Sequence, residues 1–467
     1  MTARQDPDPS RSRQSAALID FRQSLHQCLN PWGDALFELC DAVLCSPHRV
    51  DCVPALSLEP EFRRSHGSLY KALERGGVDE ERLRRLLIAH RPEGWPPVFA
   101  LDASTWARRD AETSPERGFH YSSSQHSGSK PIVPGWSFQW ISQLDWAHDS
   151  WTAPVDALRI TPSENATDAT IRQVLRLVAA LEDNGDTVSP LFVFDAGYDP
   201  IAIGDGLSKV NAQALVRISS KRVFHFDPAP PSGGPGRPPR HGARFALSSP
   251  ATWTTPDSEL NSHDPRYGGV NVRVWHGLHP QLMARGRWGK SGPLPIIRGS
   301  VIRVDVEHLP KRSMGVKKTL WLWWSGPGEP DLDLCWRAYL RRFDIEHTFR
   351  FVKNTLGWTT PALRTPEQAE RWTWLVLAAY TQLRLARELV EDLRLPWEKR
   401  RHPSRLSPVR VRRGFPRLRA QIGTPAHPPK FTKPGPGRPK GTQKPPRTRY
   451  PVVKKAAWRG AKGLNAR

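Results

Sequence analysis

Three carboxylates occupy positions at which a folded chain can use them for catalysis. Asp102 and Asp195 each follow a short apolar run, at 98–101 and 190–194, that predicts a buried strand. At the carboxyl ends of strands in an α/β sheet, side chains meet ligands, although an aspartate there also often caps the next helix. Asp195 begins the sequence Asp-Ala-Gly-Tyr-Asp, in which Gly197 permits a tight turn. Both acids are therefore candidate site residues.

The third carboxylate, Glu346, lies on a helix predicted over 331–356. Tyr339 and Arg342 precede it by seven and four residues, and Lys353 follows it by seven. At 3.6 residues per turn these four side chains fall within roughly 60° of the helix surface, beside an apolar stripe. The helix therefore presents one acid, two cations and a phenol together, as a solvated, salt-bridged surface would also do.

Carboxylates from three separate elements suit metal-dependent cleavage of a phosphodiester bond. The reaction needs a deprotonated water and a stabilised leaving oxygen, and two divalent ions about 4 Å apart supply both. Mg²⁺ prefers oxygen ligands and keeps several waters, so three carboxylates suffice, and Mn²⁺ can substitute for it. We expect Asp102 to be shared by two Mg²⁺ ions, with Asp195 and Glu346 each completing one.

The spacing of Tyr339, Arg342, Glu346 and Lys353 resembles the YREK signature of bacterial insertion-sequence DDE transposases, and the Asp-x-Gly-Tyr at Asp195 resembles their second motif. The resemblance covers roughly residues 98–390. It implies a ribonuclease-H-like catalytic domain with a β-rich insertion before the glutamate, which the long separation of Asp195 and Glu346 accommodates. It also implies catalytic and metal-binding functions for the three acids. The other three signature residues are then expected to hold DNA phosphates near the cut.

The charge distribution separates a nearly neutral body from a basic tail. The net charge is +23, and residues 401–467 contain 19 Lys and Arg but no Asp or Glu. Such a tail usually binds a polyanion, most often nucleic acid, although a solvated extension without a partner has the same composition. Arg438 and Lys440, in Pro-Gly-Arg-Pro-Lys, resemble part of a minor-groove AT-hook and are predicted to bind DNA.

The order of elements predicts an α/β fold: a ribonuclease-H-like mixed sheet flanked by helices, with a β-rich insertion, an N-terminal helical domain and a disordered basic C-terminal tail. A short helix pair near residue 77 gives the N-terminal domain possible DNA-binding character. The predicted boundaries are 1–97 for the helical domain, 98–226 for the first part of the catalytic core, 227–330 for the insertion, 331–395 for the second part of the core and 396–467 for the tail.

Two residue groups have alternative interpretations. The first contains metal-ligand types near the N-terminus: Cys40, Cys45, His48 and Cys52. Their spacing fits no common zinc pattern, so buried thiols are favoured over a zinc site. The second contains three tryptophans of the insertion, which either stack on a flipped base or, as we favour, pack in the core: Trp321, Trp323 and Trp324.

These features predict an insertion-sequence DNA transposase that binds terminal inverted repeats, nicks DNA by two-metal hydrolysis and joins the 3′-hydroxyl to target DNA. The alternatives are an inactive, transposase-derived DNA-binding protein and a ribonuclease-H-like nuclease without strand transfer. The expected partners are double-stranded DNA, at transposon ends and target, and a second copy of the chain in a homodimeric DNA complex. No apolar run approaches the ~20 residues of a membrane span, so we expect a cytoplasmic, nucleoid-associated bacterial protein without a membrane partner.

Overall fold

The computed structural model describes residues 9–121, 132–147, 149, 151–230, 238–284, 286–289, 293–309, 318–430, 439–443 and 446–454. The α-helices in this part of the chain are α1 (Pro9–Gln27), α2 (Gly33–Cys45), α3 (His66–Arg75), α4 (Glu80–Ala89), α5 (Ala166–Asp183), α6 (Pro200–Leu207), α7 (Leu332–Arg341), α8 (Asp344–Asn354), α9 (Pro366–Leu385) and α10 (Pro408–Ile422). None of these helices is long and apolar enough to cross a membrane.

The strands are β1 (Val98–Ala107), β2 (Gly118–Tyr121), β3 (Ile132–Gln143), β4 (Ala153–Ile160), β5 (Leu191–Phe194), β6 (Gln213–Ile218), β7 (Val223–His225), β8 (Arg244–Ala246), β9 (Ser258–Asp264), β10 (Gly268–Leu278), β11 (Gly299–Val306) and β12 (Thr319–Ser325). Ten of them form one mixed sheet in the order β2-β3-β1-β5-β6-β12-β11-β10-β9, with β4 also paired to β3. β1, β5 and β6 are parallel to one another, β3 runs antiparallel to β1, and β4 runs antiparallel to β3. The predicted α/β fold class, a ribonuclease-H-like mixed sheet flanked by helices, is confirmed.

The central strands are buried on both faces because their apolar side chains alternate between two helical layers. Phe99 and Phe192 belong to a cluster with α5 and α6, whereas Val98 and Leu191 pack in the cluster that contains α8 and α9. Since successive side chains of a strand point to opposite faces, continuous apolar runs are what such a sheet requires. The same alternation determines the face of the sheet toward which the side chains at the end of each apolar run point.

The predicted insertion is rich in strands, but most of them extend the catalytic sheet. β12 pairs antiparallel with β6, Trp323 opposite Val216, and β11, β10 and β9 follow in order. An open edge of β6 would leave backbone N–H and C=O groups unpaired, and β12 satisfies them. Trp323 is fully buried and stacks on Phe224, and Trp321 and Trp324 are also buried. These tryptophans therefore pack in the core, and the base-stacking alternative does not fit them.

The N-terminal helices share one hydrophobic core with α9 and α10. Arg22 of α1 is buried and makes a two-pronged ion pair with Asp41 of α2, at 2.7 and 2.9 Å, and also donates to Gln382 of α9. Cys40 and Cys45 are buried thiols whose pKa values burial raises, while Cys52 is exposed. The N-terminal helices are thus docked on the catalytic core, and the thiols in α2 are packing residues.

The predicted tail boundary at residue 396 is wrong, because α10 is part of the folded body. Val411 and Phe415 are fully buried, and Arg410 pairs with Asp392 at 2.7 Å. Arg419 reaches Asp41, which lies far away in the sequence. Residues 446–454 also contact the core, through backbone hydrogen bonds to the segment before β2. Composition could not reveal this, since the acids that neutralise these arginines lie outside the segment.

The helix predicted over 331–356 consists of two helices, α7 and α8, joined by a tight turn at Arg342 and Phe343. The Glu346 N–H donates to the Phe343 carbonyl at 3.1 Å, a bond from residue i to i−3. A turn of this 3₁₀ type holds fewer residues than an α-helical turn, so α8 is rotated relative to α7. The signature residues therefore differ in burial: Tyr339 and Arg342 are buried and Glu346 is exposed.

Candidate active site

Three carboxylates meet around the guanidinium of Arg342. Its Nη1 lies 4.0 Å from Asp102 Oδ2, and its Nη2 lies 3.8 Å from Asp195 Oδ1 and 3.7 Å from Glu346 Oε1. The arginine side chain is 2% exposed, whereas the carboxylates are 25%, 44% and 49% exposed in the same order. The structure thus brings together the three acids that the sequence selected, with a buried cation beneath an open, acidic surface.

The register of the parallel strands sets the first two acids side by side. Val98 pairs with Leu191 and Ala100 with Val193, an offset that carries Asp102 to the level of Asp195. Asp102 lies four residues after Val98, and Asp195 lies four residues after Leu191. Since every second side chain of a strand points to the same face, both acids face the layer of α8 and α9, as Val98 and Leu191 do. Asp195 directly follows β5, as predicted. Asp102 differs, because β1 continues past it to Ala107 and Asp102 pairs with Trp140 of β3.

Glu346 completes the cluster from the first turn of α8, which packs on β1. Ile345 and Phe349 are buried on the core side of this helix, so Glu346 is directed toward the rim. Asp344, two residues earlier, is buried and pairs with Arg341 at 2.9 Å. Asp344 therefore belongs to a different contact and does not compete with Glu346 for the site.

Burial has different consequences for Asp102 and Arg342. Burial raises the pKa of Asp102 to about 6; Arg342 opposes this rise, and Glu346 and Asp195 add to it. The Nε and Nη1 of Arg342 have no hydrogen-bond partner among the described residues. A buried guanidinium with two unused donors is expensive unless an anion reaches it. The site is therefore equipped to accept a negatively charged group next to its carboxylates.

The other predicted phosphate contacts differ in their accessibility. Lys353 Nζ lies over the rings of Phe349, at 5.7 Å, and Trp358, at 5.9 Å. Burial lowers the pKa of Lys353, against the attraction of Asp102. Tyr339 is 1% exposed, which places its ring in the core. Arg438 lies outside the described residues, and Lys440 is exposed at a turn.

Arg217, a cation on β6 beside Tyr339, was not among the site residues predicted from the sequence. Burial raises the pKa of the Tyr339 phenol, and Arg217 is the largest opposing influence. Arg217 is the one charged residue in an otherwise apolar or amide-bearing strand, Gln-Ala-Leu-Val-Arg-Ile. This charged residue within an apolar strand could have been noticed in the sequence, because a charge in a strand buried on both faces indicates a nearby partner or site.

The loop after Asp195 is anchored by a buried polar chain. The Tyr198 hydroxyl donates to Gln139 Oε1 at 3.0 Å, and Gln139 Nε2 donates to Gln173 at 2.7 Å. Gln173 in turn donates to Asp156, which accepts from Arg84 of α4, both at 2.9 Å. The chain runs from the site to the N-terminal helices. Gly197 has no positive φ and no atom within 4 Å of its ideal Cβ position, so the loop does not require glycine there.

Replacing Tyr198 by Phe removes the first link of this chain. We expect Tyr198→Phe to lower the free energy of unfolding by about 1 kcal/mol, the usual value of one intramolecular hydrogen bond. Urea denaturation measures the change, and Tyr121→Phe, at a tyrosine 64% exposed on β2, is the control. Equal midpoints for the two variants would contradict an anchoring function for the Tyr198 hydroxyl.

The profile of the DDE superfamily endonucleases matches residues 24–280, more than half of the chain. The chain belongs to this family. The matched range includes α2, α3 and α4 together with Asp102 and Asp195, and it ends before Glu346. No curated protein matches the chain.

DDE endonucleases normally use divalent metal ions, and the donor set of this DDE endonuclease fits such ions. The three acids supply hard oxygen ligands that are open to solvent. Among the described residues, Asp195 and Glu346 form ion pairs only with Arg342, and both side chains are exposed, so their oxygens are accessible to a ligand. The three carboxylates each lie 3.7–4.0 Å from Arg342, and their oxygens do not form a group within 4.8 Å of one another, so they must move closer together to share an ion.

Proposed function

We propose that this DDE endonuclease is the transposase of an insertion sequence. It binds the inverted repeats at the transposon ends, nicks them by hydrolysis and joins the freed 3′-hydroxyl to target DNA. The observation that carries the proposal is the meeting of Asp102, Asp195 and Glu346 around Arg342. The YREK-like spacing around Glu346 supports the assignment to insertion-sequence transposases in particular.

Asp102, Asp195 and Glu346 are the proposed ligands of two Mg²⁺ ions, with Asp102 shared and Mn²⁺ able to replace Mg²⁺. When bound, the ions supply a deprotonated water at neutral pH and neutralise charge on the leaving oxygen. The carboxylates come from β1, the end of β5 and the start of α8, three elements fixed by the core. Their backbone positions are therefore set before DNA arrives.

Arg342 is the proposed anchor for the phosphate at the cut. Its unused Nε and Nη1 donors suit a two-pronged contact with phosphate oxygens, and its burial fixes the planar fork in place. Lys353 adds a point charge beside Asp102. The Tyr339 ring contacts Phe343 with centroids 6.5 Å apart and supports the turn that carries Arg342. We propose that Tyr339 contributes to DNA binding in this indirect way.

The experiment that tests the proposal is cleavage of labelled DNA carrying the ends that flank the gene, with the full chain in Mg²⁺ or Mn²⁺. Site-specific nicks and joined products are expected, and DNA with scrambled ends is the control. Nicks without joined products would favour a nuclease without strand transfer. Tight binding without nicks would favour an inactive DNA-binding descendant. Crosslinking of the DNA complex tests the proposed homodimer.

The segment after Lys430 is the proposed DNA arm. It contains eleven Lys and Arg residues, among them Arg438 and Lys440. Arg449 of this segment pairs with Glu112 at 3.3 Å, between two exposed side chains, whereas α10 arginines such as Arg410 form ion pairs within the body. Each phosphate neutralised contributes about 0.9 to the slope of log affinity against log salt. We therefore expect a chain ending at Lys430 to bind DNA more weakly and with a flatter slope, measured by fluorescence anisotropy at several salt concentrations.

Two further variants separate the arm from the fold. Replacing Lys433, Arg438 and Lys440 together by Gln should flatten the slope by up to about 3 while leaving the thermal unfolding temperature unchanged. Ending the chain at residue 400 should lower that temperature, because it removes α10 from the core. If the chain ending at Lys430 showed the same slope of log affinity against log salt as the full chain, the segment after Lys430 would not be a DNA arm.

A further inference from the structure

Three metal-ligand side chains meet where the segment after α10 packs against the end of α1 and the start of α2. His26 lies in the last turn of α1, Asp34 in the first turn of α2, and His427 shortly after α10. His26 Nε2 is 2.8 Å and His427 Nδ1 is 3.2 Å from Asp34 Oδ1. The candidate ligand atoms all lie within 4.8 Å of one another, and among the described residues no other such group occurs.

The backbone around this cluster is fixed by contacts that do not involve the imidazoles. The His427 N–H donates to Asp34 Oδ1 at 3.0 Å, and Arg63 donates to the Ala426 carbonyl at 2.8 Å. Arg64 donates to the His427 carbonyl and has a nitrogen 3.4 Å from Asp34 Oδ2. The segment that carries His427 is therefore positioned on α2 by its main chain, which holds the imidazole at the carboxylate.

Two imidazoles and one carboxylate form a ligand set that Zn²⁺ and similar borderline cations prefer. Zn²⁺ binds nitrogen at about 2.0–2.1 Å and carboxylate oxygen at about 2.0–2.2 Å, which puts neighbouring ligand atoms of a tetrahedron about 3.3 Å apart. The distance from His427 Nδ1 to Asp34 Oδ1, 3.2 Å, is close to this value, and His26 Nε2, at 2.8 Å, must move slightly away from that oxygen to admit the cation. Arg64 approaches the other carboxylate oxygen, the position from which an outer hydrogen-bond donor orients a ligating carboxylate.

We propose that His26, Asp34 and His427 bind a divalent cation of the Zn²⁺ class, with water as the fourth ligand. The site fastens the segment after α10 to α1 and α2. His427 is 79% exposed, so the cation enters and leaves from solvent. The site shares no residue with the carboxylate cluster around Arg342 and does not depend on the proposed function.

The test is Zn²⁺ binding by isothermal titration calorimetry, using the full chain with Glu346→Gln to weaken competing binding at the carboxylate cluster. One strongly bound Zn²⁺ per chain is expected. His26→Ala and His427→Ala should each weaken its affinity at least tenfold, as loss of a ligand does. His66→Ala, at an exposed histidine on α3, is the matched control and should leave the affinity unchanged.

Thermal unfolding separates lost binding from lost folding. In EDTA the control and His427→Ala chains should unfold at the same temperature, because the His427 side chain is exposed. Excess Zn²⁺ should raise that temperature for the control but not for His26→Ala or His427→Ala, since a ligand stabilises only the state that binds it. Failure to bind Zn²⁺, or affinity unchanged in both histidine variants, would overturn the proposal.

Discussion

Glu346→Gln should abolish DNA cleavage while leaving DNA binding nearly intact. The substitution preserves the size of the side chain but removes the charge of the one cluster acid contributed by a helix. Because a neutral amide is a poor ligand for Mg²⁺, we expect the rate of cleavage to fall about 10³-fold or more, equivalent to about 4 kcal/mol in the barrier. Single-turnover cleavage of pre-bound, labelled DNA in Mg²⁺ measures the rate, and fluorescence anisotropy measures the affinity.

The matched control is Glu182→Gln, at an exposed glutamate near the end of α5. It changes the net charge by the same amount outside the cluster and should cleave at the wild-type rate. Asp102→Asn and Asp195→Asn should behave like Glu346→Gln, because all three acids face the same arginine. Cleavage by Glu346→Gln at a rate near that of the control would remove Glu346 from the site.

Arg342→Ala should also cause a large loss of cleavage, on the order of 10²-fold, through the loss of a buried, positioned cation. The arginine lies within 4.0 Å of all three carboxylates, and its unused donors are available to a phosphate. Without it, the three acids repel one another, and Lys353 beside Asp102 is the remaining signature cation near the site. Arg342→Lys retains the charge but not the planar fork, so an intermediate rate is expected.

Arg337→Ala is the control for this second prediction. Arg337 lies on α7, one turn before the break, is 44% exposed and pairs with Asp333 at 3.0 Å on its own helix. Its removal should change the single-turnover rate by less than about threefold, since exposed ion pairs within a helix contribute little. If Arg342→Ala cleaved DNA as fast as Arg337→Ala, the guanidinium would have no function in the reaction.

The choice of acids depended on local sequence. Continuous apolar residues predict a buried strand, and the apolar run at 190–194 ends directly before Asp195. The spacing around Glu346 identified the third acid. The offset of 93 residues between Asp102 and Asp195 is also the register offset of β1 and β5, which no property of either strand alone reveals. The pairing of strands is a long-range contact, so only the folded sheet shows that the acids are level.

Burial of the signature residues was not predictable from helical spacing. An unbroken helix would present Tyr339, Arg342 and Glu346 together on one face. The i to i−3 bond at Phe343 rotates α8, which leaves Arg342 buried below the acids. Ile345 and Glu346 both make i to i−3 bonds here. Such turns are frequent at the ends of helices of many sequences, so packing against the sheet decides where this one occurs.

Sequence by itself determined the α/β class, the three acids and the excess of positive charge toward the C-terminus. The tertiary structure decided which charges are available. Arg410 and Arg419 of the predicted tail are paired with Asp392 and Asp41, and burial raises the pKa of Asp102. The composition gives the number of charged residues. The ion-pair partner and the burial of each charged side chain depend on contacts between segments that are remote in the sequence. For this reason the sequence selected the three acids, and the fold determined which charges surround them.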